Sequence, residues 1–529
     1  MTGRIGRCFA AIFLTALVAA CASVPGENYP KPASTALAHP ENTPLGDKLD
    51  SLAQNHPGTS GFELLPLGHD SLLARIELAD AAHRTLDLQY FIIENDTTGK
   101  LVMDAVLRAA DRGTRVRMLV DDYDDLARDQ QIATLAAHPG IEIRIFNPYY
   151  LRGPLDVLRN AEFLLFSYRL NSRMHNKLFI ADNAAAVVGG RNIGDEYFAA
   201  SPERERGDFD VLAVGSVVGR LSLSFDTFWN SELAVPIKAL LLVKPGPDAL
   251  EKYRAELKKN AAAAETSRLI PRLDRPGPLT SALAGNGSLT WAKAEVLYDD
   301  PQKTKVEKGE EPGSLLRHRL EDALQTVKTE VRVVSPYLVP GEEGMKLIEK
   351  LRSRNIRVRI LTNSLAATDM PIAHVGYSHY RVRMLEDGVE LYEVRPFLGE
   401  PGEGHERLKS RHTDQFALHA KVFVLDQQRL FLGSMNFDYR SLRLNTEIGL
   451  LIESPELARK VSERFDAIAQ PANSFIPTLN APDALGKRQL VWKTEENGKL
   501  VELTYEPSGD VLRGLQANLL SLLPIDDML

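Results

Sequence analysis

The sequence predicts an α/β fold of two homologous lobes, each a mixed β-sheet flanked by helices, with an active site at a pseudo-twofold axis between them. Two observations support this prediction. A short pattern of His, Lys, Asp and Asn occurs twice, and a strand–helix–strand unit precedes each copy. Arg117 and Arg359 mark equivalent strands 242 residues apart, and His175 and His419 are 244 residues apart. Because chance similarity would not keep this register, we interpret the chain as a duplicated unit.

Composition sets the broad class of protein. The chain has 529 residues, of which 44% are hydrophobic and 25% charged, as in ordinary folded proteins with a large core. The formal net charge is −8. Because general nucleic-acid binders usually present a basic field, we expect no nucleic-acid partner.

The chain begins with features of an export signal. Residues 1–20 combine Arg4 and Arg7 with an apolar run that is too short for a bilayer span of about 20 residues. The run ends in "VAAC", which resembles the bacterial lipobox and implies lipidation of Cys21; a plain signal with an incidental cysteine is the alternative. Cys8 is the only other cysteine, so the mature body has no disulfide framework.

Residues 21–61 contain the lipidated cysteine and a proline-rich stretch that predicts an extended tether. Lobe one is predicted over 62–240. Its strand "LDLQYFII" and helix "GKLVMDAVLRAADRG" lead to the strand "TRVRMLVDD", and Gly113 is placed to end the helix in the left-handed conformation. Lobe two, over 291–475, repeats this order with "VRVVSPYLV", "GMKLIEKLRSRN" and "IRVRILTNS", and Asn355 takes the glycine's place.

Residues 241–290, rich in proline and alanine, are predicted to be a linker or insertion. Residues 476–529 are predicted to hold a hairpin that turns at Asn497-Gly498, followed by a leucine-rich helix in "VLRGLQANLLSLLP". The leucines of this helix face either the protein body or a bilayer, and we favour packing on the body.

The repeated pattern places its side chains on one face of a strand. In "HNKLFIAD" alternate residues share a face, so His175 and Lys177 point the same way. Asp182 lies in the turn that follows, and Asn192 leaves the return strand beside the first strand's open end. The second copy has the same four positions: His419, Lys421, Asp426 and Asn436. One such pattern is explained by a surface lysine and a satisfied histidine, but two complete copies at matched positions indicate a site.

The residue types favour phosphoryl chemistry without a metal or cofactor, because thiolates are absent and carboxylates are too few for a two-metal clamp. Lysine and asparagine donors suit a phosphoryl oxyanion; one histidine can attack and the other can transfer protons. A nucleophilic imidazole needs an acceptor on its other nitrogen. We predict Glu447 as the acceptor for His419, and either Asp208 or Asp210 as its counterpart in lobe one.

The two HxKxxxxD motifs, each followed by GG or GS and Asn, resemble the phospholipase D superfamily in its single-chain form. The resemblance implies that family's fold, a covalent phosphohistidine intermediate and no metal cofactor. It also implies that His175 is the nucleophile and His419 the general acid and base. The phrases "VGGRNIGDEYF", "GSMNFDYRS" and "NTEIGLLIES" are similar to those of bacterial cardiolipin synthases, and this similarity extends over most of 62–529.

That resemblance implies phosphatidyl transfer to the glycerol head of phosphatidylglycerol, giving cardiolipin, with phosphatidylethanolamine as donor. An accessory protein partner is left open. The first alternative is a phospholipase D that hydrolyses phospholipids to phosphatidic acid. A nuclease is disfavoured by the acidic charge and the lipid anchor, and an inactive lipid-binding scaffold by the completeness of both motifs.

Other residues are candidates for substrate binding. Arg169, Arg173 and Ser434 are candidate substrate ligands, and an ordinary solvated basic face is the alternative for the two arginines. His374 and His379 fit no common metal spacing; we interpret them as structural, with His374 in an acceptor pocket as the alternative. For location we expect the bacterial cell envelope, lipid-anchored at the periplasmic face. Ala22 favours the outer membrane under the sorting rule of many Gram-negative lipoproteins.

Overall fold

The computed structural model describes residues 29–529, apart from 124–125, 151–158, 160–161, 164, 242, 266–274, 286–288, 306–313, 400–414, 510–512 and 515–529. The predicted signal peptide, Cys21 and most of the leucine-rich C-terminal segment lie outside the described residues. Within them, no helix combines the length and the apolar character needed to cross a membrane.

Residues 29–283 contain these strands: β1 (Ser60–Leu65), β2 (Thr85–Tyr90), β3 (Arg115–Asp121), β4 (Ile141–Phe146), β5 (Leu178–Ala181), β6 (Ala185–Gly189), β7 (Arg204–Gly207), β8 (Asp210–Gly215) and β9 (Ala234–Pro236). The helices of this part are α1 (Pro44–Ala53), α2 (Gly68–Ala81), α3 (Thr97–Asp111), α4 (Leu126–Leu135), α5 (Ser167–Asn171), α6 (Ser216–Trp229), α7 (Ile237–Leu240), α8 (Ala249–Glu265) and α9 (Pro278–Leu283).

The remaining strands are β10 (Thr290–Tyr298), β11 (Glu330–Val334), β12 (Leu338–Val339), β13 (Arg357–Asn363), β14 (Glu390–Val394), β15 (Gln415–Leu418), β16 (Val422–Leu425), β17 (Arg429–Gly433), β18 (Phe437–Asp438), β19 (Ile448–Glu453), β20 (Ser474–Leu479), β21 (Leu490–Glu496) and β22 (Lys499–Leu503). The helices are α10 (Leu315–Gln325), α11 (Gly341–Ser353), α12 (Pro371–Glu386) and α13 (Pro455–Ile468).

The two lobes have the same sheet topology. Lobe one runs β1-β8-β6-β5-β2-β3-β4-β9, in which only β2–β3 and β3–β4 are parallel. Lobe two runs β10-β19-β17-β16-β11-β13-β14-β20, with parallel pairs only at β11–β13 and β13–β14. The antiparallel pair β1–β10 joins the two sheets, and β7 pairs with β15 across the lobes. The identical strand order confirms the predicted mixed α/β duplication.

Helices cover both faces of the two sheets. One apolar core lies between the lobe-one sheet and α2 and α3, and another lies under the outer helices of lobe two. A third core between the lobes contains residues of α6 and α13, including Trp229, which is fully buried. The inner faces of both sheets therefore share one core, which fixes the lobes against each other.

The local turn signals are found where the sequence predicts them. Gly113 has φ 91° and Asn355 has φ 60°, so both helix ends use the left-handed conformation. Asn497 (φ 51°) and Gly498 (φ 74°) form the turn between β21 and β22. Positive φ at both central residues is the requirement of a two-residue hairpin turn of type I′.

The segment predicted as a tether differs from that prediction over its described part. The backbone carbonyls of Pro32, Ser34 and Thr35 accept hydrogen bonds of 2.7–2.9 Å from arginines of β3 and β4: Arg144, Arg117 and Arg115 respectively. Helix α1 then buries Leu45 and Leu49 in the lobe-one core. Prolines keep the segment extended and its carbonyls free of regular backbone pairing, so these carbonyls are available to the guanidinium groups of β3 and β4.

The segment predicted as a linker is likewise packed over its described part. Helix α8 buries Tyr253 and Leu257 in the lobe-one core, and the Asn260 amide donates to the carbonyl of Thr97 at the start of α3 (2.9 Å). The alanine-rich helix therefore extends the helical layer of lobe one.

Candidate active site

Each histidine motif is hydrogen-bonded to the opposite lobe. The backbone N–H of His175, just before β5, donates to the carbonyl of Thr446 (2.9 Å). The backbone N–H of His419, just before β16, donates to the carbonyl of Gly207 (2.7 Å). These two backbone bonds are related by the pseudo-twofold axis, and they bring the residue after each acceptor against the histidine ring.

The carboxylate acceptors are exchanged between the lobes. Glu447 follows Thr446, and its Oε2 lies 2.9 Å from His175 Nδ1; Asp208 follows Gly207, and its Oδ2 lies 2.6 Å from His419 Nδ1. The predicted pairing of Glu447 with His419 is wrong, because the backbone contacts carry this glutamate across to the other motif. Asp210, the other lobe-one candidate, instead forms a buried ion pair with Arg75 (2.9 Å).

Burial keeps both imidazoles neutral. His175 and His419 are buried, and loss of solvent lowers the pKa of His175 to about 4, although Glu447 opposes the shift. Burial, with Lys421 and Arg206, also holds the pKa of His419 well below its usual value. In a neutral ring whose Nδ1–H donates to a carboxylate, Nε2 carries the free lone pair. Each histidine is therefore prepared to accept a proton or attack phosphorus through Nε2.

A second layer of hydrogen bonds fixes the carboxylates. Glu447 accepts hydrogen bonds from the hydroxyls of Ser434 and Ser441 (2.8 Å for Ser441). Burial acts to raise the pKa of Glu447, but His175, Lys177 and the Ser434 bond outweigh it and lower the pKa. Ser434, predicted as a substrate ligand, is fully buried and outside the cavity wall; it orients Glu447 instead.

The two motif lysines lie behind the histidines. Lys177 Nζ donates to the His175 carbonyl (2.6 Å), and Lys421 Nζ donates to the His419 carbonyl. Burial lowers the pKa of Lys421 to about 8 and that of Lys177 well below its usual value. Neither side chain is on the cavity wall, so in this structure the lysines act on the site through their field and their hold on the histidine backbone.

The two motif asparagines lie on the cavity wall beside the histidines, as predicted. Asn192 makes two hydrogen bonds within the protein: its amide donates to the Tyr197 hydroxyl (3.0 Å), and its oxygen accepts from the Ile92 N–H (3.3 Å). Asn436 differs, because its buried Oδ1 has no hydrogen-bond partner among the described residues. Asn436 is therefore available to a bound ligand.

The two motif aspartates are corrected from catalytic to structural residues. The Asp182 carboxylate accepts from the backbone N–H groups of residues 83–85, ahead of β2. The Asp426 carboxylate accepts from the N–H groups of residues 328–330, ahead of β11. Each lies seven residues after its histidine, at the far end of a four-residue strand that alone spans about 13 Å at 3.3 Å per residue. Both therefore hold strand ends together, away from the cavity.

Replacing Asp182 by Asn should lower the free energy of unfolding by about 2 kcal/mol, because charge-assisted hydrogen bonds to backbone N–H groups are lost. Asn tolerates the positive φ of 51° at this position, so the change isolates the carboxylate. Asp426→Asn should have the same effect in lobe two. Denaturant unfolding, with the rate per folded molecule, measures both. The partly exposed Asp80→Asn is the control, and a large fall in rate at unchanged stability would contradict this assignment.

The histidines and asparagines open onto one cavity of about 540 Å³ between the lobes. Its wall is lined by charged residues (Arg173, Arg206, Arg440, Asp369, Asp438) and aromatic ones (Phe91, Tyr123, Tyr149, Phe163, Tyr197, Tyr337). Phe91 meets the His175 ring edge-on at 5.2 Å between centroids, and Tyr197 meets His419 in the same way at 5.2 Å. The pseudo-twofold axis thus relates the ring contacts of the two histidines as well.

The structure separates the remaining candidates. Arg173 lines the cavity, with Nη1 3.4 Å from Asp121 Oδ1. Arg169, predicted as a phosphate ligand, does not line the cavity; it pairs with Glu162 (2.7 Å) and covers the Tyr150 ring. His374 also lies outside the cavity wall and bonds to Glu506 (2.7 Å), which agrees with its structural interpretation.

Several residues of the cavity wall were not predicted from the sequence. Arg206, Asp369 and Tyr337 form one cluster near His419, and Asp438 and Arg440 lie nearer His175. Arg206 lies two residues before Asp208, and this proximity to a candidate acceptor is the one sequence signal that would have indicated Arg206. The others lie outside the repeated pattern, so comparison of the two copies could not find them.

The side chains around the histidines are poorly arranged to bind a metal ion. Among the residues that the structure describes, no group of three or more His, Cys, Asp or Glu side chains is arranged to hold a metal. Both histidines also have Nδ1 engaged by a carboxylate. The arrangement can instead place a phosphoryl group between two Nε2 atoms, with amide donors beside it.

Comparison with known proteins agrees with this geometry. The family model described as "Cardiolipin synthase, PLD-like domain" matches residues 75–207 and 320–469. Cardiolipin synthase C of Escherichia coli (strain K12) is 36% identical over 491 residues, covering 92% of this chain and 99% of that protein. Cardiolipin synthase A of Pseudomonas putida (strain W619) is 26% identical over 411 residues, covering 77% of this chain and 67% of that protein.

A solved structure shows the same fold. Phosphatidylserine synthase of Haemophilus influenzae Rd KW20 superposes with a TM-score of 0.52 at 15% sequence identity. The match covers 81% of this chain and 92% of that chain.

Proposed function

The chain belongs to the phospholipase D-like cardiolipin synthase family, and from this premise we propose that it is a phosphatidyltransferase that makes cardiolipin from two phospholipids. One observation carries the proposal. Two buried imidazoles face one cavity, and a carboxylate from the opposite lobe holds Nδ1 of each. This arrangement leaves one Nε2 for attack on phosphorus and one for proton transfer.

In the first half-reaction, His175 Nε2 attacks the phosphorus of the donor phospholipid. The P–N bond forms, the bond from phosphorus to the head-group oxygen breaks, and that oxygen takes a proton from His419 Nε2. The pKa of His419 is low in the free protein, so protonation requires help from the substrate. The anionic phosphodiester supplies it, because a negative charge beside the ring favours the imidazolium.

In the second half-reaction, an alcohol gives its proton to His419 Nε2 as its oxygen attacks phosphorus. The P–N bond breaks and neutral His175 is released. With the glycerol head of phosphatidylglycerol as the alcohol, the product is cardiolipin. With water, the same steps give phosphatidic acid, so the hydrolase alternative uses identical residues and differs only in its acceptor.

The cavity mouth fits a lipid substrate. Tyr123 and Phe163 line the cavity and are also exposed at the surface, and Leu165 and Phe166 continue this exposed apolar group. A phospholipid must place its head group in the cavity while its acyl chains stay in the bilayer. Exposed apolar side chains at the mouth suit that boundary.

The function is tested by the products formed from labelled lipids. Purified protein is mixed with vesicles of labelled phosphatidylethanolamine, with and without phosphatidylglycerol, and the lipids are separated. We expect labelled cardiolipin only when phosphatidylglycerol is present. Phosphatidic acid in both mixtures, without cardiolipin, would favour the hydrolase. His175→Ala protein, prepared in the same way, controls for contaminating activities.

We also propose that Cys21 is lipidated and holds the protein at the periplasmic face of the outer membrane. The lipobox-like "VAAC" and the alanine after the cysteine support this proposal. Two acyl chains suffice for stable anchoring when each buried CH₂ contributes about 0.8 kcal/mol.

Cys21→Ser should prevent both lipidation and cleavage at this residue, so that the membrane fraction no longer contains a processed, acylated protein. Cell fractionation and the mass of the mature N-terminus measure both effects. If the Cys21→Ser protein stays in the membrane and is processed at the same residue, lipidation is not the anchor. The leucine-rich C-terminal segment would then be the next candidate.

A further inference from the structure

We propose that Asp369, together with Tyr337 and Arg206, forms a subsite for the hydroxyl groups of a polyol, and so selects the alcohol that accepts the phosphatidyl group. This inference rests on the proposed function, because it concerns the acceptor of that same reaction. It assigns a specificity role to a cluster that lies outside both repeated motifs.

The cluster is built on the cavity wall. Asp369 lies just before α12, and its carboxylate accepts from the Tyr337 hydroxyl at 2.9 Å (Oδ1) and 3.1 Å (Oδ2). Arg206, on β7, pairs with the same carboxylate through Nη1, while its Nε donates to Glu196 at 2.7 Å. Asp369, Tyr337 and Arg206 all line the cavity, whereas Glu196 does not. The carboxylate is thus fixed in place with one side facing the substrate space.

The cluster lies on the His419 side of the cavity. The Arg206 guanidinium stands 5.3 Å from the centre of the Tyr197 ring, and that ring meets the His419 ring edge-on at 5.2 Å. His419 handles the alcohol oxygen in both half-reactions. In an in-line displacement this oxygen lies opposite the attacking nitrogen of His175. Groups beyond His419 therefore contact the alcohol and not the diacylglycerol.

The charges favour hydroxyl groups over anions. Burial acts to raise the pKa of Asp369, but Arg206 outweighs it and lowers the pKa to about 2, so the carboxylate stays ionised. The two carboxylates that pair with Arg206 also offset its positive charge. A carboxylate offers about four acceptor positions, and Tyr337 and Arg206 leave room for a further O–H donor. A second hydroxyl on the acceptor can donate there, whereas a phosphate would be repelled.

A competition between two alcohols tests the subsite. Wild-type protein is given phosphatidylethanolamine vesicles with equal glycerol and 1-propanol, and the ratio of phosphatidylglycerol to phosphatidylpropanol is measured. Glycerol carries the extra hydroxyls and 1-propanol does not. Because both products arise from one enzyme sample, losses of folding or of overall rate cancel in the ratio. We expect wild type to favour glycerol.

Asp369→Asn should lower that ratio roughly 10-fold, the loss of one charge-assisted hydrogen bond. Tyr337→Phe should lower it in the same direction and serves as the second variant if Asp369→Asn does not fold. Two matched controls should keep the ratio within about twofold. Glu196→Gln removes the carboxylate on the outer side of Arg206, and Asp438→Asn removes the wall carboxylate nearer His175.

A ratio unchanged in both Asp369→Asn and Tyr337→Phe would overturn the subsite while leaving the transferase intact. The subsite would also be overturned if the product ratio fell equally in the two control variants, or if wild type showed no preference for glycerol. If wild type formed phosphatidic acid as its sole product from either alcohol, the transferase assignment would fail and the subsite with it.

Discussion

His175→Ala is expected to form no covalent phosphatidyl adduct and to lose transfer by about 10⁴-fold or more, as when other enzymes lose their nucleophile. His419→Ala, in contrast, is expected to accumulate the adduct on His175. Its remaining histidine keeps the Glu447 hydrogen bond and a free Nε2. Without His419, however, the imidazole that deprotonates the acceptor alcohol is missing.

The adduct is best trapped with a phosphatidyl ester of p-nitrophenol, because that leaving group needs no protonation. Mass spectrometry of the digested protein then locates the phosphatidyl group. The adduct should be acid-labile, as a phosphoramidate is. Wild type should show only a transient adduct under the same conditions. If the group is found on His419 in His175→Ala protein, the two roles are reversed.

Glu447→Gln and Asp208→Asn are each expected to lower kcat by about 10²–10⁴-fold, by analogy with the loss of an orienting carboxylate in other His-dependent enzymes. The exchanged pairing makes the two defects different. Glu447→Gln disturbs His175 and should slow adduct formation. Asp208→Asn disturbs His419 and should slow release of the adduct to the alcohol.

Rapid-quench kinetics with the p-nitrophenyl ester separates the two cases. We expect a burst of p-nitrophenol in Asp208→Asn followed by slow turnover, and no burst in Glu447→Gln. Glu453→Gln, an exposed carboxylate at the end of β19, is the matched control and should behave as wild type. The opposite assignment of bursts would mean that Glu447 acts on His419 after all.

The duplication was predictable because it repeats the same residue types at nearly the same spacing in the sequence. The near-constant offset between Arg117 and Arg359 and between His175 and His419 reflects the same strand order in both lobes. The histidines and asparagines of the repeated pattern lie on the cavity wall as predicted. The lysines were expected from strand alternation to share the histidines' face, but they lie behind the histidines and off the wall. Positive φ at Gly113 and Asn355 could also be expected, because glycine and asparagine adopt the left-handed conformation more readily than other residues.

The exchange of carboxylates could not be read from the chain. Glu447 is 28 positions from His419 and 272 from His175, yet it contacts the distant one. Only the packing of one lobe against the other determines that choice. Asp182 and Asp426 show a second limit. A fixed spacing from a catalytic histidine indicates that a residue is constrained, and it does not say whether the constraint is chemical or structural.

The N-terminal segment shows a third limit. Its prolines fit a free extended tether and an extended segment packed on lobe one equally well, because both need backbone without internal hydrogen bonds. The choice depends on three arginines of β3 and β4, more than 75 positions away, whose guanidinium groups donate hydrogen bonds to the carbonyls of residues 32–35. No local pattern reports such a match.

If Cys21 is the membrane anchor, the packing of residues 31–35 on lobe one also limits the distance between the membrane and the protein body. The first described contacts of this segment begin near Lys31, whose Nζ donates to the Ser231 carbonyl (2.8 Å). With Cys21 as the anchor, ten residues separate the acyl chains from the body. Ten residues span at most about 35 Å between Cys21 and the body, whereas a tether of 40 residues would span up to about 140 Å. The permitted distance is close to one bilayer thickness, about 30 Å for the hydrocarbon core. The active site would thus reach lipids of the leaflet that holds the acyl chains of Cys21, and it would not reach lipids of a second, more distant membrane.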